Sequence, residues 1–212
     1  LVSGMYRHFG KFLADFLRFP LYKKEFPAGL VEFEGKEALL AAYGQGRGVI
    51  LITAHFGLWE MQFSCMKQMG IKGTAIVKDI RNKGLNRFIL EQRNMGDVYA
   101  LRKKNSAQEI LRLLKKGEVV GFILDQNMNS ELGVFVDFGS EKACTLSAPA
   151  LLASRFGIPV FSSFIVRTQE DRYRMVIKEL KPVKTGNRVQ DLVANTQIFS
   201  DEVLNIIRQY PE

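Results

Sequence analysis

Acidic residues are scarce relative to basic ones, cysteine and histidine are rarer still, and no apolar stretch is long. The two cysteines, Cys65 and Cys144, stand among apolar or small residues without metal-ligand spacing, so they read as reduced structural thiols and not as a disulfide framework or zinc site. A cytosolic or cytosol-facing location fits that usage best. With only His8 and His55 as histidines, no metal site is expected. No run approaches the roughly 20 apolar residues that span a bilayer. Nothing at Leu1 has the pattern of a secretory signal, so these residues are not expected to cross a membrane.

The shortage of acid leaves a formal charge of +8. Such a balance calls for an anionic partner: nucleic acid, phospholipid headgroups, a phosphorylated substrate or an acidic carrier protein. A solvated basic surface that only aids solubility is the plain alternative. A nucleic-acid binder has charge alone in its favour, because the interleaved basic and aromatic strand motif is missing. With 47% hydrophobic residues in 212, the chain can bury a full core and is read as one domain, residues 1–212.

The stretch from Gly48 to Glu60 organises the rest. Val49 to Thr53 is a short apolar, β-branched run, the pattern of a strand buried on both faces, and it delivers His55 to its carboxyl end. Carboxyl ends of strands in open parallel sheets are where ligands bind. Leu58, Trp59, Met61, Gln62, Phe63 and Met66 read as helical, which places Glu60 in the first turn, folded back over the loop. His55 and Glu60 are therefore a candidate base and its orienting acid. A lone histidine beside apolar residues is more often structural, and spacing alone does not name a reaction.

Upstream, Met5, Phe9, Phe12, Leu13, Phe16 and Leu17 recur at helical spacing while Arg7, Lys11 and Arg18 decorate the same segment, so residues 1–30 read as an amphipathic, basic and aromatic helical piece. Most of its apolar face is expected on the core, with a lipid interface as the other way to use it. Tyr22, Lys23, Lys24, Phe26 and Pro27 add a second basic and aromatic patch. Val31 and Phe33 suit a short edge strand, and Lys36 to Tyr43 a helix.

Downstream, strands and helices alternate. Strands are expected at Thr74–Val77, Val98–Leu101 and Val119–Leu124, and helices at Asn82–Met95, stopped by Gly96, and Ser106–Lys116, opened by a Ser106 and Glu109 capping box. Single helices between strands imply right-handed crossovers and a largely parallel sheet, so the fold class is a single α/β domain. Asp125-Gln126-Asn127 again puts polar residues at a carboxyl end, expected near His55 if the two strands are close. A helix at Ser147–Arg155, strands at Val160–Val166 and Tyr173–Leu180 joined through Thr168 to Arg172, and a closing helix from Arg188 to Arg208 complete the order.

Several of these stretches resemble one family. Thr53-Ala54-His55-Phe56-Gly57-Leu58-Trp59-Glu60 is similar to the signature of the bacterial lipid A biosynthesis acyltransferases, within the wider lysophospholipid and glycerol-phosphate acyltransferase group, with its histidine, four residues and an acid. Leu124-Asp125-Gln126-Asn127, followed by Gly133 to Gly139, Ala143 and Thr145, resembles a second block, and Ile76-Val77-Lys78 with Asn82 and Arg93 a third, more loosely. The resemblance runs from Tyr6 to Pro211. It departs at Leu58, where asparagine is usual, and at Lys78, where the family's arginine would grip an anion with a planar fork that lysine lacks. Members tend to have a membrane-spanning helix ahead of the position of Leu1 and an aromatic, basic tail after that of Glu212.

The resemblance implies transfer of an acyl chain from an acyl carrier protein thioester, or second from acyl-coenzyme A, to a hydroxyl of a glycolipid such as a lipid A precursor. A lysophospholipid, glycerol phosphate or aminolipid stands behind that acceptor. It implies no cofactor, peripheral work at the cytoplasmic face of the bacterial inner membrane, and no nucleic acid. Such chemistry needs a base for the hydroxyl proton and donors for the oxyanion, but no protein nucleophile. His55 is the expected base with Glu60 as its partner. Gly57 is expected to let the backbone approach the thioester, Asp125 and Gln126 to position the site or acceptor, and Lys78, Arg81 and Arg93 to hold anionic groups. Phe56, Trp59, Phe63 and Met66 are candidates for an acyl channel, at least half of them plain core. An inert lipid-binding protein at the membrane surface is the competing class.

Overall fold

A computed structural model describes residues 2–24, 28–94, 97–102, 106–168 and 172–211. Helix α1 (Val2–Lys24) leads into strand β1 (Val31–Glu34), α2 (Lys36–Gly44) and the central strand β2 (Val49–Thr53). A 3₁₀ turn (Trp59–Met61) and α3 (Gln62–Gln68) follow, then β3 (Gly73–Val77), α4 (Lys83–Arg93), β4 (Val98–Arg102), α5 (Ser106–Lys115) and β5 (Val119–Ile123). The second half holds the hairpin β6 (Gly133–Phe138) and β7 (Glu141–Leu146), α6 (Ala148–Phe156), β8 (Val160–Arg167), β9 (Tyr173–Leu180) and α7 (Arg188–Gln209).

Seven strands form one sheet in the order β1-β9-β8-β2-β5-β3-β4, parallel throughout except for the antiparallel pair β8 and β9. This is the α/β architecture expected from the alternation of strands and helices. Side chains of a strand alternate between faces, and β2 divides its apolar residues accordingly. Val49 and Leu51 join a core with Leu39, Phe63 and Met66 under α1 to α4. Ile50 and Ile52 join the opposite core with Leu113, Ala150, Phe199 and Val203 under α5 to α7. All five residues of β2 are buried, which is why it reads as a continuous apolar run.

One pairing is new and two local readings are corrected. Gly133–Phe138 and Glu141–Leu146 form a separate two-stranded sheet packed against α7, a pairing that no strong strand pattern announced. The helix after His55 starts later than expected: Leu58 stands at φ −100°, ψ 56°, and the chain makes a 3₁₀ turn before α3 begins at Gln62. In α1, Phe16 and Phe19 are buried and Phe12 is partly so, whereas Met5, Phe9, Leu13 and Leu17 are 47–59% exposed. Most of the helix's expected core face thus looks outward. The side chains of Tyr22, Lys23 and Lys24, residues Phe26 and Pro27, the stop at Met95 and Gly96, the Ser106 side chain of the capping box, and the middle of the 168–172 turn lie outside what is described.

Gly57 ties the strand-end loop to the sheet. It has φ 57°, forms a bridge to Ile165 of β8, and precedes Leu58, whose amide donates to the Ile165 carbonyl at 3.0 Å. A β-carbon here would lie 1.9 Å from that carbonyl oxygen. The strand backbone is therefore what the missing side chain makes room for. Left-handed strain at a non-glycine costs of the order of 1–3 kcal/mol before any clash is counted, so Gly57→Ala is expected to destabilise by about 3 kcal/mol or more in urea titrations. Gly139→Ala, at φ 72° with nothing within 4 Å of the added carbon, is expected to show only the conformational part, about 1–2 kcal/mol.

Candidate active site

β2 and β5 are neighbours with Thr53 opposite Ile123, so the residues two places beyond each strand end, His55 and Asp125, come side by side. His55 Nδ1 lies 3.0 Å from Asp125 Oδ1, and the His55 amide donates to Asp125 Oδ2 at 2.9 Å. One carboxylate thus clamps both the ring and the backbone of the histidine. Burial pushes the Asp125 carboxyl upward, but the hydrogen bonds and charge of His55 outweigh it and hold the group below the usual aspartate value. Asp125 is then an acceptor at neutral pH, so the ring proton sits on Nδ1 and the Nε2 lone pair is left for another partner. The histidine side chain is 36% exposed.

The acid on the ring is therefore Asp125, which corrects the expected pairing of His55 with Glu60. The left-handed Gly57 and the 3₁₀ turn carry Glu60 away from the rim, where it is buried at 8% exposure and taken by Arg93. Arg93 Nε donates to one Glu60 oxygen at 2.9 Å and Nη2 to the other at 2.5 Å, a planar fork on a planar carboxylate. Arg93, expected to hold a substrate anion, is thus engaged inside the protein. The pair lies in an apolar slot on the α3 side of the sheet, lined by Trp59, Phe63, Met66, Ala75, Val98 and Ile123. Trp59 links slot and base, with its ring edge-on to His55 at 5.4 Å and stacked on Phe12 of α1 at 4.0 Å.

The remaining expected residues are dispersed. Gly57 is needed for its approach to β8. Gln126 is exposed beyond Asp125, and Lys78 and Arg81 are exposed in the segment before α4. That segment leaves β3, two strands and roughly 10 Å along the sheet from β2, and Asn82 there caps α4 by accepting from the Leu85 amide. Phe56 leaves the slot's company and meets Phe164 edge-on instead.

The surroundings of the second histidine, His8, could not be read from its sequence context because its neighbours come from far along the chain. His8 lies beside the Gly57 backbone, and burial with the nearby Arg167 cation lowers its pKa. Arg167 in turn pairs with Asp15 and lies over the Tyr173 ring at 4.9 Å. The spacing of His8, Phe12 and Asp15 along one helical face was the available signal.

Cutting one partner from a buried ion pair leaves an uncompensated charge, typically at a cost of about 3–5 kcal/mol. Arg93→Leu is expected to lose about that much stability in urea unfolding, and adding Glu60→Gln to it is expected to recover a substantial part.

Residues 1–212 match the family model described as bacterial lipid A biosynthesis acyltransferase. A lipid A biosynthesis acyltransferase of Haemophilus influenzae is 26% identical over 186 residues, covering 85% of this chain and 56% of that protein. The chain therefore spans little more than half the length of the curated relative it matches. Whole-chain agreement with the family model, on a fold that sets the signature histidine at the carboxyl end of its central strand, places the chain in the bacterial lipid A biosynthesis acyltransferase family.

Proposed function

We propose that the chain is an O-acyltransferase that moves a fatty acyl group from a thioester to a hydroxyl of a glycolipid such as a lipid A precursor, with His55 as general base. The observation that carries this reading is the 3.0 Å contact between His55 Nδ1 and Asp125 on a histidine side chain that is 36% exposed. In the proposed step Nε2 takes the acceptor's hydroxyl proton as the oxygen attacks the thioester carbonyl. The tetrahedral intermediate then expels the thiolate, which recovers the proton from the imidazolium, and Asp125 stabilises that cation while it exists. The apolar slot under Trp59 suits the acyl chain, with Phe63 and Met66 as its wall. Glu60 and Arg93 stiffen that wall as a neutralised pair. Gln126 is left to the acceptor side of the rim.

Acyl carrier protein is the proposed donor partner, since an acidic protein suits the +8 charge, with acyl-coenzyme A second. A peripheral contact with the cytoplasmic face of the inner membrane is proposed for α1. No described helix is long and apolar enough to cross a membrane. Yet Val2, Tyr6, Phe9, Leu13 and Leu17 stand exposed along α1 with Arg7, Lys11 and Arg18 beside them, the composition of a helix lying in a lipid interface.

General base catalysis typically contributes about 10²- to 10⁴-fold. His55→Ala is expected to reduce acyl transfer by about that factor, read by mass spectrometry of lipid extracts after incubation with acyl carrier thioesters. Asp125→Asn, which permits the wrong tautomer, is expected to lose about 10²-fold or more; an unchanged rate in either variant would sink the mechanism. Leu13→Asp with Leu17→Asp is expected to abolish sedimentation with anionic vesicles while leaving the urea midpoint nearly unmoved, because both side chains already face water.

A further inference from the structure

A cleft of about 350 Å³, lined by none of the residues of the apolar slot, opens between α1 and the strand-end loop. Arg7, His8 and Lys11 of α1 form one wall, Phe56 and Gly57 the floor, and Arg167 at the end of β8 the other side. Among the described residues no aspartate or glutamate lines it. Asp15 sits behind the wall, in the small cavity between α1 and Tyr173, and from there holds the Arg167 guanidinium in place.

Arg7 and Lys11 are exposed and make no ion pair with a described residue. Set one helical turn apart, like charges oppose the helix that carries them. His8 lies between them on the same helix, its ring kept from taking a proton by burial and the nearby Arg167 cation. Holding these groups around a concave surface costs free energy unless something negative is bound there. The cleft is large enough for a phosphorylated small group, and its floor belongs to the same loop as His55.

Resting on the acyl-transfer reading, we infer that this cleft binds a phosphate ester belonging to one of the two substrates, with Arg7, Lys11 and Arg167 as its charge partners. Two sources share that chemistry: a phosphate on the acceptor's headgroup, and the phosphodiester of the phosphopantetheine arm that carries the acyl thioester. Arg93 is tied to Glu60, and Lys78 and Arg81 lie beyond β5, so the cations expected to do this work from sequence stand elsewhere. If α1 rests in a lipid interface by its apolar ridge, Arg7 and Lys11 lie beside that ridge, where phosphorylated headgroups are concentrated.

The test is an NMR titration of the native chain with glucose 1-phosphate against glucose, and with pantetheine 4′-phosphate against pantetheine. At least one phosphorylated probe is expected to bind ten-fold or more tightly than its dephosphorylated partner, with shifts at the Gly57 amide and the His8 ring. The sugar pair or the pantetheine pair showing the preference identifies the source. Arg7→Gln with Lys11→Gln is expected to reduce the preference to less than two-fold, and 0.5 M salt to weaken it, as screened charge pairs require. Arg7→Lys with Lys11→Arg is expected to keep it, which separates charge from folding. Equal binding of phosphorylated and plain probes by the native chain, or full preference in the double glutamine variant, overturns the inference. The readout does not need turnover: His55→Ala should retain the phosphate preference while losing transfer. A chain that binds phosphate but never transfers acyl groups would defeat the catalytic proposal and leave the site standing.

Discussion

Parallel pairing of β2 with β5 is the constraint on which the candidate site depends. The two strands run in register with Thr53 opposite Ile123, and both end at the same rim of the sheet. Each is buried and apolar almost to its end, so neither can slip by one residue without turning its side chains to the wrong core. The first polar residues that each strand can release are therefore brought to one place. His55 and Asp125 meet because two buried strands stop together.

The two acids near the histidine have been given separate duties. Asp125 stays at the rim, partly solvated, and holds the imidazole in one tautomer. Glu60 is drawn under the sheet's α3 face by the turn at Gly57 and neutralises Arg93 within apolar surroundings. A buried carboxylate needs a close, well-oriented cation, and the bidentate fork from α4 meets that need. Trp59 touches the His55 ring and also lines the apolar slot that holds Glu60 and Arg93.

Helix α1 joins the site to its surroundings. Its inner aromatic residues pack on Trp59 and the core, while its outer ridge remains apolar and exposed. Between these faces Arg7, His8 and Lys11 look into the cleft beside Gly57. One helix thus offers a core contact, an exposed apolar ridge and a basic wall, with three different sides of the same 23 residues.

Local pattern alone determined a good deal: the buried β2, the sequence of strands and helices that forces crossovers into a parallel sheet, and a histidine delivered to a strand's carboxyl end. These follow from periodicity and from the short connections between elements, both of which act over a few residues. Tertiary structure decided who meets whom. Glu60 is five residues from His55 in the chain and was the natural partner on that ground, yet Asp125, seventy residues on, takes the ring. Strand order, which spacing does not encode, put β5 beside β2, and the left-handed Gly57 turned Glu60 aside. The same holds for His8 and Arg167, which α1 brings to one cleft with Asp15 holding the guanidinium, and for the β6 and β7 hairpin, which packs on α7. Sequence fixes what each segment prefers to be; the registers, layers and reversals that bring distant side chains within 3 Å arise only when those segments compete for one core.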